Sequence, residues 1–165
     1  MDLRFHYGSA LDLLSVPLRT NIPMRQRLEL GLRMRRAARS IPTASTYLEH
    51  LYMAEAIMSV PRTVTGVAVE AGCFMGGSTA SLSLACEQAG RELVVFDSFA
   101  GLPEPDEVDA QHDVTFTGQT HSYSKGAFSG RLDQVQANVR QYGAIDRCRF
   151  VPGYFEQTLP SFTHL

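Results

Sequence analysis

The sequence contains no apolar run approaching the roughly 20 residues that a helix needs to cross a bilayer. Its opening stretch, residues 1–14, mixes acids and polar residues where a secretory leader would carry an apolar core. These absences predict a cytoplasmic protein with no membrane partner. Cysteine is scarce: Cys73, Cys86 and Cys148 are far apart, odd in number, and form no Cys-x-x-Cys pair. That argues against a disulfide framework or a zinc site and predicts three free thiols, buried or half-buried. A surplus of either charge is missing too. Fifteen Lys and Arg face 17 Asp and Glu, for a net charge of -2. A nucleic-acid binder is usually clearly basic, so none is expected as a partner. No internal repeat is visible. What is present, 165 residues at 44% hydrophobic and 19% charged, suits one domain with a core.

Residues 1–42 are predicted to form a helical arm. Arginines crowd it (Arg19, Arg25, Arg27, Arg33, Arg35, Arg36 and Arg39), while Met24, Leu28 and Leu32 fall at the spacing of one helical face. Such an arm either packs on the domain as a solvated helix or meets an acidic partner. From residue 43 onward the pattern is sharper. Thr46 with Glu49 fits a capping box, and Leu48, Leu51, Tyr52, Glu55 and Met58 continue a helix that Pro61 ends. Residues 65–70 then read as a branched, apolar strand without polar alternation, of the kind covered on both faces in a parallel sheet. A helix from Ser78 to Ala89, closed by Gly90, leads to a second such strand, Leu93 to Asp97. Residues 98–129 read as one long irregular loop. Leu132, Val135, Val139 and Tyr142 mark a last helix, stopped by Gly143, and Cys148 to Pro152 a third strand. Alternation of this kind predicts an α/β fold, the first half of a Rossmann-like, doubly wound parallel sheet preceded by helices.

Ligands of open α/β sheets bind outside the carboxyl ends of the strands, and three features gather there. Gly72, Gly76 and Gly77 lie between the first strand and its helix, where glycine lets backbone approach a ligand closely. Asp97 ends the second strand, at the distance from the glycines where an acid accepts hydrogen bonds from ribose hydroxyls. The alternative is a local cap on the amides of Ser98 and Phe99. Glu70 ends the first strand and discriminates between cofactors. It would repel the diphosphate of NAD by about 1 to 4 kcal/mol at about 4 to 6 Å, and attract the sulfonium and ammonium of S-adenosylmethionine. Its alternative is a structural acid bonding local amides. The Gly-x-x-x-Gly-Gly spacing also departs from the dinucleotide fingerprint.

Residues 69–79, then residues 95–103, Gly126-Ala127-Phe128, residues 150–155 and Thr158-Leu159-Pro160 together resemble the macrocin O-methyltransferase family. The resemblance spans roughly Val60 to Pro160. It implies an S-adenosylmethionine-dependent O-methyltransferase acting on a hydroxyl of a sugar or other small natural product, usually with a divalent metal such as Mg2+. By resemblance Glu70, Gly72 and Gly76 line the methionine end of the cofactor, Asp97 holds the ribose, Ser98 and Phe99 flank the adenosine, and Tyr154 and Phe155 the adenine. Cys73, Phe74, Ser78, Thr79 and Gly153 complete the expected cofactor set. The stretch from Asp106 to Phe128 would lie near the acceptor.

Members of that family continue with a fourth strand and an Asp-rich metal element. Leu165 falls about where that strand would begin, so the chain is expected to be either a fragment lacking the C-terminal part of the domain or a degenerate half-domain. Metal ligands are expected beyond Leu165 and none within the chain, the acids Asp106, Glu107 and Asp109 reading as a solvated loop. Methyl transfer to oxygen needs a base near the acceptor, and His112, His121 and Tyr123 in the long loop are the candidates. A homo-oligomer is expected. Two rival readings stay open: an NAD(P)-binding oxidoreductase, and a non-catalytic half-domain that pairs with a partner chain.

Overall fold

The computed structural model describes residues 22–106, 114–116, 119–121 and 124–162, with side chains omitted for 114–116 and 119–121. The chain runs α1 (Met24–Ser40), α2 (Tyr47–Ser59), β1 (Ala68–Ala71), α3 (Gly77–Ala89), β2 (Leu93–Asp97), β3 (Val114–Phe116), β4 (Gln119–His121), α4 (Leu132–Tyr142), β5 (Cys148–Pro152) and α5 (Phe155–Thr158). β1, β2 and β5 form a parallel sheet in the order β1-β2-β5, with Glu70 beside Val95 and Asp97 beside Pro152. This is the α/β alternation that the sequence predicts.

β2 is central and all five of its residues are buried, which accounts for its unbroken Leu-Val-Val-Phe run. β1 departs from expectation. It is shorter than the branched segment 65–70 suggested, and Val69 on one of its faces is 50% exposed. Ala68 and Glu70 point the other way, toward α3, where Glu70 is buried. The strand is terminal in the sheet, so nothing among the described residues pairs with its outer edge.

α3 is the hub of the helices, packing on α1, α2, α4 and β2. It is assembled from small residues (Ala80, Ser81, Ser83 and Ala85 are all buried), so neighbours approach closely from several sides. One core cluster lies between the sheet, α3 and α4 (Ala80, Leu82, Cys86, Leu93, Val95, Val135, Val139). A second joins α1, α2 and α3 (Leu30, Met34, Ala38, Leu51, Ala54, Leu84). α3 ends on Gly90 in the left-handed conformation, as its sequence predicts.

In α1 and α2 the buried faces differ from those expected. α1 buries Leu30, Met34, Ala37 and Ala38, and leaves Met24, Leu28 and Leu32 exposed. The alanines decide this, because their small side chains let the helix axis approach α3 closely. The arginines stay outside, Arg33 pairing with Glu87 and Arg36 covering the Tyr142 ring. α2 begins with the predicted capping box between Thr46 and Glu49 but buries Tyr47, His50, Leu51 and Ala54, with Leu48 and Tyr52 exposed. The stretch 98–129 is not wholly irregular: β3 and β4 pair as an antiparallel hairpin, Val114 opposite His121. The three cysteines are free thiols, Cys73 and Cys86 buried and Cys148 half-buried. Burial pushes Cys86 up to about 11 and Cys148 up to about 12, so neither is a nucleophile near neutrality. Among the described residues no helix is long and apolar enough to cross a membrane.

Candidate active site

The carboxyl ends of β1, β2 and β5 converge on one acid. Gly72 N–H donates to the Phe96 carbonyl (2.8 Å) and Gly153 N–H to the Asp97 carbonyl (2.9 Å), so the sheet's hydrogen bonding continues into the loops. The Asp97 side chain then ties those loops together. One carboxylate oxygen accepts from the amides of Cys73 (2.7 Å) and Phe74 (3.3 Å), and the other from the amide of Phe99 (2.7 Å). The capping alternative is therefore realised at Phe99. It does not exhaust the group, since a carboxylate has about four lone-pair sites and three are used.

Around Asp97 lies a cavity of about 350 Å3, lined by Ala44, Ala71, Gly72, Phe74, Asp97, Ser98, Gly101, Leu102, Pro103, Phe128, Tyr154, Phe155 and Glu156. Of the residues expected to bind cofactor, Gly72, Phe74, Asp97, Ser98, Tyr154 and Phe155 are brought together here. A Cβ on Gly72, whose φ is +86°, would meet nothing within 4 Å, so its missing side chain leaves room on the cavity side. Phe74, Phe99 and Phe128 all hold positive φ (50°, 53° and 55°), a conformation that is strained for an aromatic residue and that gathers at functional sites. Phe74 and Phe128 meet edge to face, 5.7 Å between centroids. The loop 101–103 is fastened to 126–127 by two backbone hydrogen bonds, Leu102 N–H to the Ala127 carbonyl and Gly126 N–H to the Leu102 carbonyl. The segment after β2 thereby docks on the segment before α4.

The other expected cofactor residues lie outside that lining. Glu70 turns away toward α3, one oxygen accepting from Ser78 Oγ (2.6 Å) and the other from Thr79 Oγ1 (2.7 Å). Its partners are hydroxyls rather than the local amides expected of a structural acid. Burial raises its carboxyl to about 7, the two hydroxyls holding it down and the nearby Asp97 charge adding to the rise. Ser78 and Thr79 are thus partners of Glu70. Gly76 serves packing: a Cβ there would sit 3.0 Å from Val135 Cγ1 on α4. Cys73 is buried, with its thiol pushed far up by desolvation and by the neighbouring Asp97 and Glu70 charges, while its amide donates to Asp97. Phe99 lies against Phe150, and Gly153 against Thr158.

Sequence reasoning assigned no role to Ala44, Ala71, Gly101, Leu102, Pro103 or Glu156, and placed Phe128 only at the end of the stretch near the acceptor. Ala71, Gly101 to Pro103 and Phe128 stood inside recognised motifs, so a signal existed for them. Ala44 and Glu156 carried none. Of the catalytic candidates, His112 and Tyr123 lie outside the described residues, as do Glu107 and Asp109. The backbone of His121 closes β4. Among the described residues no group of three or more His, Cys, Asp or Glu side chains could hold a metal ion.

Among the described residues the lining contains two carboxylates, Asp97 and Glu156, and no Lys, Arg or His. The amino end of α3, where a diphosphate would rest in a dinucleotide-binding fold, is covered by the chain itself. A Cβ on Gly77 would lie 2.6 Å from Thr43 Cβ and 3.3 Å from the Pro42 carbonyl oxygen. The arrangement suits a cation-bearing ligand with a polar, hydroxylated portion and an aromatic-binding rim.

Comparisons with known proteins agree with that geometry. Residues 24–164 match the family model described as macrocin-O-methyltransferase (TylF). The chain is 38% identical over 102 residues to the 8-demethyl-8-(2,3-dimethoxy-alpha-L-rhamnosyl)-tetracenomycin-C 4'-O-methyltransferase of Streptomyces olivaceus, covering 59% of this chain and 38% of that protein. It is 31% identical over 103 residues to the mycinamicin III 3''-O-methyltransferase of Micromonospora griseorubida, covering 59% and 40%. The chain thus spans about two fifths of the length of the curated relatives it matches. The solved O-methyltransferase NovP superposes with a TM-score of 0.59 at 24% identity, over 83% of this chain and 68% of that one, which shows a shared fold. With the match running through α1, the sheet, the Asp97 cavity and α5, the chain belongs to the macrocin-O-methyltransferase (TylF) family.

Proposed function

We propose that this chain binds S-adenosylmethionine in the Asp97 cavity and serves an O-methyltransferase acting on a hydroxyl of a glycosylated or other small natural product. The observation that carries the reading is the charge of the lining: among the described residues, two carboxylates and no basic side chain, beside a helix amino end against which Pro42 and Thr43 pack. That combination favours a sulfonium over a diphosphate. At about 350 Å3 the cavity falls in the range of small-molecule sites. S-adenosylmethionine, when bound, supplies a methyl group on a positively charged sulfur.

The chain's own residues bind and orient. Asp97 has a lone-pair site left for a ribose hydroxyl after its three amides. Gly72 keeps the wall open where a side chain would intrude. Phe74, Phe128, Tyr154 and Phe155 supply aromatic faces for the adenine, and the two carboxylates favour the cationic end. Glu70 acts through charge from behind the wall while its hydroxyl partners hold its geometry. His112, His121 and Tyr123 are proposed to take the acceptor proton. Among the described residues no cluster would hold Mg2+. The names of the two relatives, a rhamnosyl-tetracenomycin 4'-O-methyltransferase and a mycinamicin III 3''-O-methyltransferase, support a natural-product acceptor.

Calorimetric titration with S-adenosylhomocysteine and with NAD tests the cofactor assignment. Saturable binding of the first and none of the second is expected, and tighter NAD binding would favour the oxidoreductase. A methyl-transfer assay on glycosylated acceptors tests the activity. Cofactor binding without turnover, in a stable complex with another chain, would favour the non-catalytic half-domain instead.

A further inference from the structure

We infer that His50 is a positioning residue for the cofactor cavity: it fastens the segment Thr43–Ser45 onto the amino end of α3 and so fixes the wall that Ala44 contributes. His50 is fully buried on α2. Its Nε2 lies 2.8 Å from Ser45 Oγ and 3.5 Å from Thr43 Oγ1, and its Nδ1 lies 3.1 Å from Ser81 Oγ on α3. The two hydroxyls of the segment also bond each other (3.1 Å), and Ser45 N–H donates to Thr43 Oγ1 (3.3 Å). One imidazole therefore bridges α3 to a short segment without regular structure, using both ring nitrogens.

The segment is held where it matters for the site. Thr43 packs so tightly on Gly77 that an added Cβ there would sit 2.6 Å from its own. Ala44, the next residue, lines the cavity. Burying the His50 imidazole with the Thr43 and Ser81 hydroxyls, and half-burying that of Ser45, costs free energy unless the polar atoms are paired, and a paired network specifies one arrangement. A leucine would fill the same space on α2 without fixing where residues 43–45 lie. The ring is neutral, since burial lowers its pKa to about 4 against a smaller opposing effect of Glu49. A neutral ring has one donor and one acceptor nitrogen, and hydroxyls can complement either tautomer.

The inference rests on the proposed cofactor reading, and its test separates the two. The wild-type chain, His50→Leu, His50→Gln and Leu51→Ala are titrated with S-adenosylhomocysteine at a temperature where circular dichroism shows each to be folded. Exchange of the Ser45 amide is followed without ligand. Leu51, buried beside His50 on α2, is the control for destabilisation alone. His50→Leu is expected to lose at least tenfold in affinity and in Ser45 protection. His50→Gln, which keeps a donor and an acceptor, stays within threefold of wild type, and Leu51→Ala does the same despite a lower Tm. His50→Leu behaving as wild type, or Leu51→Ala losing as much affinity as His50→Leu, overturns the inference. If His50→Leu does not fold, Ser45→Ala replaces it with an expected affinity loss of about threefold, and an unchanged affinity overturns it equally. A wild-type chain that binds no S-adenosylhomocysteine sinks the cofactor reading; the Ser45 exchange then still decides whether His50 holds the segment.

Discussion

Glu70 turns the proposed chemistry into a pH dependence whose sign and size follow from the structure. Its carboxyl, raised to about 7 by burial, is half ionised at neutrality in the free protein. A cation held beyond the wall, at about 6 to 8 Å and an effective dielectric of about 20, favours the ionised form by roughly 2 to 3 kcal/mol, or about 1.5 to 2 pKa units. Binding is then coupled to loss of a proton below pH 7. With the free group at about 7, the ionised fraction falls from about one half at pH 7 to about one eleventh at pH 6, so affinity for S-adenosylmethionine should fall about fivefold over that unit and change about twofold between pH 8 and 7. Stability of the ligand-free chain runs the other way. A carboxyl whose folded pKa lies above its unfolded value destabilises the fold as pH rises from about 4.5 to about 7, by roughly 3 kcal/mol in the limit, and no further above that. Calorimetry in two buffers of different ionisation enthalpy reads the released proton directly, and Glu70→Gln should abolish both the release and the pH slope. It should also gain stability relative to wild type as pH rises through that window. Affinity that is flat from pH 6 to 7.5 in the wild-type chain, or a slope that survives in Glu70→Gln, would refute the reasoning.

Three further outcomes follow from other contacts. Asp97→Ala removes the acceptor of the Cys73, Phe74 and Phe99 amides as well as the proposed ribose partner. It should weaken S-adenosylhomocysteine binding by about 1 to 3 kcal/mol, and a folded variant with wild-type affinity would remove Asp97 from the site. Gly130→Ala would place a Cβ 2.0 Å from the Phe74 carbonyl oxygen. Since backbone must move, urea denaturation should show a loss of at least about 2 kcal/mol, and a loss within about 0.5 kcal/mol would show that the loop gives way freely. Thr46→Ala breaks the capping box of α2. It should cost about 1 kcal/mol of stability with little change in cofactor affinity, a result checked by thermal melts and the same titration.

The elements that announced themselves were those with one dominant local cause. β2 was legible because both of its faces are covered, α3 because Gly90 must adopt a left-handed turn, and α2 because Thr46 and Glu49 cap each other. The buried face of α1 was not legible. Met24, Leu28 and Leu32 have the better hydrophobic spacing, but Ala37 and Ala38 win because α3 demands close approach, and that demand lies in another part of the chain. The hairpin β3–β4 was hidden by the glycine and polar residues around it. Ala44 entered the site by tertiary placement alone, through a histidine seven residues from the threonine it contacts.

The glycines of the site show how a sequence pattern and its chemistry can part company. Gly72, Gly76 and Gly77 form one cluster, and a glycine-rich turn before a helix suggests a ligand cradle at each of them. Only Gly72 faces open space; Gly76 admits Val135 and Gly77 admits Thr43. Two of the three are therefore spent on bringing α4 and the 42–43 segment against the start of α3. Glu70 undergoes a similar change of role. Its oxygens are taken by hydroxyls of the covered helix end, while the cavity acquires its negative character from Asp97 and Glu156. The proposed preference for a cationic cofactor would thus have two separable sources: direct contact with the lining carboxylates, which is independent of Glu70, and a longer-range effect of Glu70 that depends on its ionisation. If only the second fades between pH 7 and 6, affinity should settle at a finite lower value in acid, and Glu70→Gln should show that value at every pH.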